Sequence, residues 1–120
     1  MKGVKPLCLF LALGLCALAG REGNFTIRFE PKAVLQAEAQ IPFEITVLND
    51  LKQPLHEAKV TMQIETKDHK HAMTYKAPEV TAGTYLAKPV FPEAGEWNVS
   101  VEVHRNDQVS SRTLEYVVAK

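Results

Sequence analysis

Gly95-Glu96-Trp97-Asn98-Val99-Ser100-Val101-Glu102-Val103-His104 reads as one β-strand of strict alternation. Trp97, Val99, Val101 and Val103 fall on one face, and Asn98, Ser100, Glu102 and His104 on the other. Successive side chains of a strand point to opposite faces, so a period of two places one face on a core and the other in water. Gly95 opens the strand and Asn106-Asp107 marks a turn after it. Trp97 is expected as the central aromatic of the core.

The same alternation recurs outward from this strand. Ile41, Phe43, Ile45 and Val47 share a phase against Glu44 and Thr46, and Asn49-Asp50 follows as a turn. Ala58, Val60, Met62 and Ile64 alternate with Lys59, Thr61, Gln63 and Glu65, and the polar run Thr66 to Lys70 turns the chain. Phe25 to Phe29 alternates until Pro31 stops it. Gly83 opens Thr84–Phe91, with Tyr85, Ala87 and Phe91 inward; Pro89 there predicts an edge strand or a terminal bulge. In Val109–Val118 the apolar phase shifts between Val109 and Leu114, Tyr116 and Val118, which predicts a bulge or bend. About seven short antiparallel strands, regular turns and no helix predict an all-β, immunoglobulin-like β-sandwich. A fold of this kind hosts many activities, so function rests on particular residues.

The N-terminus carries a different message. Lys2 and Lys5 precede an uncharged stretch from Pro6 to Gly20, and Ala17-Leu18-Ala19 offers small residues at the spacing a signal peptidase accepts. This pattern predicts a secretory signal peptide over residues 1–19 and an exported domain over 20–120. The apolar stretch is about 15 residues, short of the ~20 that span a bilayer. Two alternatives stand beside cleavage: an uncleaved segment giving membrane association, and a lipoprotein using Cys16, against which Leu13-Gly14-Leu15 puts a bulky Leu15 where a small residue is wanted before the modified Cys.

Both cysteines, Cys8 and Cys16, lie in this leader, so the exported domain carries no disulfide. Without Lys2 and Lys5, twelve basic residues remain against fourteen acidic ones, a net charge of −2. Nucleic-acid binding needs a basic stripe, and none is present. No cysteine nucleophile, nucleophile-elbow serine or glycine-rich phosphate loop occurs in the domain, so it is not expected to be an enzyme. Asn24-Phe25-Thr26 and Asn98-Val99-Ser100 match the short N-glycosylation pattern, which has meaning only in a eukaryotic secretory pathway.

The chain has four histidines: His56, His69, His71 and His104. Two belong to Asp68-His69-Lys70-His71-Ala72-Met73. If this piece is extended, His69, His71 and Met73 project to one face with roots about 7 Å apart. Imidazole with a thioether suits copper, because the soft sulfur favours the reduced ion. His56 and Met62 flank or belong to the neighbouring strand, but Met62 falls in its inward phase and reads as core. The alternative reading is a solvated polar turn, in which a bend at residues 67–70 splays His69 from His71. Structural zinc would need four ligands, usually including cysteine.

Four phrases occur in order along the domain: Asp50-Leu51-Lys52-Gln53-Pro54-Leu55-His56-Glu57-Ala58-Lys59-Val60, the His/Met segment at 68–73, Gly83-Thr84-Tyr85, and Phe91-Pro92-Glu93-Ala94-Gly95-Glu96-Trp97-Asn98-Val99. In this order they resemble the YtkA-like and FixH-like group of small bacterial extracytoplasmic domains. The resemblance implies an immunoglobulin-like sandwich in the periplasm or on the outer face of the cytoplasmic membrane. FixH-like members are associated with assembly of membrane haem–copper oxidases, which implies a link to copper delivery and an envelope or membrane protein partner. One departure stands out: YtkA-like chains often carry another His and Met after the Trp strand, whereas here only His104 is present. FixH-like chains also usually keep a membrane helix.

Two functions follow as expectations. In the first, the exported domain binds copper through His69, His71 and Met73, with His56 or His104 as further ligands. In the second, it is a metal-free interaction or structural module of the envelope, presenting an edge strand or loop to its partner.

Overall fold

The computed structural model describes residues 21–120, and the leader expected at residues 1–19 lies outside them. Among the described residues there is no helix, and none long and apolar enough to cross a membrane. The chain forms a two-residue strand β1 (Arg21–Glu22), then β2 (Thr26–Pro31), β3 (Phe43–Leu48), β4 (Lys59–Thr66), β5 (Ala72–Lys76), β6 (Glu79–Thr81), β7 (Thr84–Ala87), β8 (Gly95–Arg105) and β9 (Gln108–Val118). One sheet has the order β1-β9-β8-β4-β5 and the other β2-β3-β7-β6. All pairs are antiparallel except β1 with β9. This is the immunoglobulin arrangement: β2-β3-β7-β6 stands as strands A-B-E-D, and β9-β8-β4 as G-F-C with β5 added at the edge.

The inner faces meet as the alternation requires. Trp97, Val99, Val101 and Val103 of β8, Val60, Met62 and Ile64 of β4, and Phe43, Ile45 and Val47 of β3 are all buried in one core. Burying each such side chain contributes about 1.5–3 kcal/mol relative to exposure. A run of tilted and edge-on ring contacts crosses between the sheets: Phe29 to Tyr116, Tyr116 to Phe43, Phe43 to Phe91, and Phe91 to Trp97 at 5.3 Å. Trp97 thus sits at the end of an aromatic row, and its indole N–H donates to the Glu93 carbonyl at 3.0 Å.

Three expectations are corrected. Among the described residues there are eight strands of three residues or more, against the expected seven or so. Residues 72–81, to which the sequence reading assigned no strand, form β5 on one sheet and β6 on the other, and Pro78, which has no N–H to donate, separates them. β7 is not an edge strand; it lies between β3 and β6 and ends at Ala87, ahead of Pro89. β9 has no bulge, for its pairing with β8 runs unbroken from Arg105↔Gln108 to Gly95↔Val118. The apparent phase shift comes from polar residues at inward positions. Ser110 Oγ accepts from the Phe25 N–H at 3.3 Å, and the Arg112 guanidinium donates to the Ile27 carbonyl at 2.8 Å.

The sandwich has two chemically distinct ends. The chain enters beside the β8–β9 turn, because β1 pairs with Gln108 and Val109; the β3–β4 loop lies at this same end. The β4–β5 turn lies at the other end with the C-terminus, since Thr66 pairs with Trp97 and Gly95 with Val118.

Candidate functional site

Strand register separates the five candidate ligands into two groups. His104 pairs with Lys59 at the start of β4, and His56 immediately precedes that strand. His69, His71 and Met73 belong to the β4–β5 hairpin at the far end. About 23 Å of strand lies between, at 3.3 Å per residue. His56 and His104 therefore do not share one ion with the hairpin group.

The hairpin is organised around the buried Thr66 hydroxyl. It donates to Asp68 Oδ1 at 2.7 Å and accepts the N–H groups of Lys70 and His71, each at 3.1 Å. Asp68 Oδ1 also accepts the Lys70 N–H at 3.0 Å. The Thr66 hydrogen bond, followed by that from Lys70 and the nearby Lys70 and His71 side chains, holds the Asp68 carboxyl below its ordinary range. Such a knot bends the chain at His69, whose φ is +65°. The segment is a turn there, and the extended geometry on which a three-residue face depends begins only after it.

The bend sends the two histidines apart. His69 Nδ1 lies 3.1 Å from Glu65 Oε2, and Glu65 belongs to the outward phase of β4. The Thr66 N–H donates to the His71 carbonyl at 3.0 Å, continuing the pairing of Glu65 with Ala72 and Ile64 with Met73. His71 accordingly shares the phase of Met73, on the edge strand β5. His71 is exposed, while Met73 is half-buried against the core with the Tyr75 hydroxyl 3.8 Å from its sulfur. Met62, opposite Tyr75, is fully buried, as its phase required.

At the other end each histidine faces a carboxylate. His56 Nδ1 lies 2.8 Å from Glu79 Oε2. Glu79 also accepts the backbone N–H groups of Glu57 at 3.1 Å and Gly83 at 3.0 Å. The hydrogen bond to Glu79, with the charges of Glu79 and Glu57, raises the His56 pKa and lowers that of Glu79. His104 Nε2 lies 2.8 Å from Glu102 Oε1 on the outer face of β8. The Glu79 cluster was invisible to sequence reasoning because residues 79–81 were assigned to no strand. Gly83 four residues after Glu79, closing a tight turn, was the available signal.

Among the described residues no three His, Cys, Asp or Glu side chains converge to hold a metal ion. What the hairpin offers is a two-residue donor set, His71 imidazole and Met73 thioether, two residues apart in the same phase. That set does not fit structural zinc, which takes four ligands. It fits reduced copper, which favours soft sulfur, accepts imidazole and tolerates low coordination.

With a two-sheet immunoglobulin topology and a His/Met-bearing edge hairpin, the molecule is a small all-β sandwich domain. The chain belongs to the YtkA-like family, whose sequence model matches residues 20–102, well over half its length. The match includes His56, His69, His71 and Met73 and ends two residues before His104. No curated protein matches the chain.

Proposed function

We propose that this protein is an exported, non-catalytic domain of the bacterial cell envelope that holds copper at the β4–β5 hairpin and passes it to a membrane partner. The observation that carries this reading is the placement of His71, just ahead of the edge strand β5, and Met73 within it in one phase, behind a turn fixed by Thr66. The leader-like residues 1–19 support export, and the FixH-like resemblance supports a client in oxidase assembly. His71 and Met73 would hold the ion, and copper would supply the exchangeable cargo. His69 joins them only by leaving Glu65, which makes it a third ligand available on demand. The exposed position of His71 leaves one side open to an incoming ligand from a partner.

A Cu(I) titration against a competing chelator, under reducing conditions, tests this. The parent should bind one ion, His71→Ala and Met73→Ala should each weaken binding by about tenfold or more, and His56→Gln with His104→Gln should leave it unchanged. Equal binding by all four variants would refute the site.

A second reading is supported by the bend at His69, which turns its ring away from His71 to lie against Glu65. In it the domain is a metal-free envelope module that engages its partner through the edge of β5. Pull-down from envelope extract would then recover the same partner with parent and His71→Ala protein alike.

A further inference from the structure

A cleft of about 270 Å³ opens at the end where the chain enters, remote from the hairpin. Three segments meet there. Asn24 comes from the stretch between β1 and β2, Asp50 from the turn after β3, and Arg105, Asn106 and Gln108 from the β8–β9 hairpin. Leu55 and Phe25 supply the apolar part of the lining.

Local geometry fixes these groups. Asn49 Oδ1 accepts the N–H groups of Leu51 at 2.9 Å and Gln53 at 3.0 Å, which builds the turn carrying Asp50. Asn106 has φ +56°, as a two-residue hairpin turn requires, and Arg105 pairs with Gln108 across it. The side chains of Asn24, Asp50, Arg105, Asn106 and Gln108 form no hydrogen bond or ion pair with any other described residue. This sets them apart from Arg112, which is bonded to the Ile27 carbonyl, and from the histidines, three of which face carboxylates. A guanidinium and a carboxylate line one cleft without pairing to each other, and amides that both donate and accept lie with them.

We infer that this cleft binds a carboxylate carried beside an N–H donor, the chemistry shared by a free amino acid and a peptide C-terminus. Arg105 takes the carboxylate, since its planar fork matches two oxygens at once. Asp50 repels the carboxylate and accepts the N–H, so the ligand is oriented along the line between them. Leu55 and Phe25 receive a small apolar side chain. The volume fits one amino-acid residue and lies below the range typical of drug-sized ligands.

The test is a ¹⁵N NMR titration of the purified protein with three probes: alanine, N-acetylalanine and N-acetylalanine amide. Saturable shifts are expected at the side-chain amides of Asn24, Asn106 and Gln108 and at Arg105 Nε with one or both carboxylate probes, and none with the amide. Alanine alone acting identifies a free amino acid; N-acetylalanine acting identifies a peptide terminus. Arg105→Gln should weaken binding roughly tenfold, the loss of one charge-assisted pair, while its backbone spectrum stays that of the parent. Asp50→Asn, on a separate turn, should weaken alanine more than N-acetylalanine. No saturable shift with either carboxylate, equal shifts with the amide, or undiminished binding in both variants overturns the inference. Loss of copper binding at the hairpin leaves these readouts untouched.

Discussion

His69 and His71 leave the β4–β5 hairpin toward opposite faces of the sheet, His69 to Glu65 on the outer face and His71 into the phase of Met73. Thr66 imposes this division, because its hydroxyl binds Asp68 and the N–H groups of both Lys70 and His71. Thr66→Val keeps the shape and removes all three bonds. Such a loss costs about 1–3 kcal/mol, read as a lower urea midpoint with an unchanged slope. The Asp68 pKa, followed by NMR, should rise toward its ordinary value of 3.8, since its largest downward cause is gone.

The His56–Glu79 pair makes stability depend on pH. His56 has a raised folded pKa, so its contribution is complete below its ordinary 6.5 and is lost as pH rises through the raised value. Glu79 has a lowered folded pKa, so its contribution is present above its ordinary 4.5 and is lost as pH falls through the lowered value. Both are present together between these limits. The difference in melting temperature between parent and His56→Gln should be largest from pH 4.5 to 6.5 and should shrink by pH 8. A difference constant with pH would show that the ion pair does not carry it.

Gly83 and Gly95 both have positive φ, +80° and +132°, yet they should respond differently to a methyl group. A Cβ at Gly83 would lie 2.6 Å from the Pro54 Cβ and 2.9 Å from its Cα, whereas one at Gly95 meets nothing within 4 Å. Gly95→Ala should therefore cost only the backbone strain, about 1–3 kcal/mol. Gly83→Ala adds a clash that the β3–β4 loop must relieve, and its chemical-denaturation midpoint should fall further.

Tyr85 ties β7 to the loop that leads into β4 through its hydroxyl. It donates to the Leu55 carbonyl at 2.7 Å and accepts the Ala58 N–H at 3.0 Å, while the ring is fully buried. Burial is the main cause that keeps its pKa above the ordinary range. Tyr85→Phe leaves both backbone groups unsatisfied and should destabilise the protein by about 1–3 kcal/mol. Hydrogen exchange at Ala58 should accelerate more than at Val101 in β8.

The strands whose alternation is unbroken were legible in the sequence because one phase is wholly apolar. Trp97, Val99, Val101 and Val103 all lie in the core, as do Ile45, Val60 and Ile64. Legibility failed where polar side chains occupy inward positions. Ser110 and Arg112 mimic a phase shift, although hydrogen bonds to Phe25, just ahead of β2, and to Ile27 within it satisfy them in place. It failed also where a short strand changes sheets at Pro78. At the hairpin, the spacing of His71 and Met73 survives in the structure, and that of His69 does not. The difference lies in one positive-φ residue that no periodicity encodes. The distance of His56 and His104 from the hairpin follows from strand register, which a single strand's pattern does not specify.

Cu(I) K-edge absorption of the copper-loaded protein tests the central claim most directly, because it reads the ligand atoms themselves. A site made by His71 and Met73 should show one sulfur scatterer with nitrogen, and Met73→Ala should remove the sulfur while nitrogen remains. A protein that takes up no copper, or whose loaded spectrum has no sulfur and is unchanged in Met73→Ala, would contradict the account.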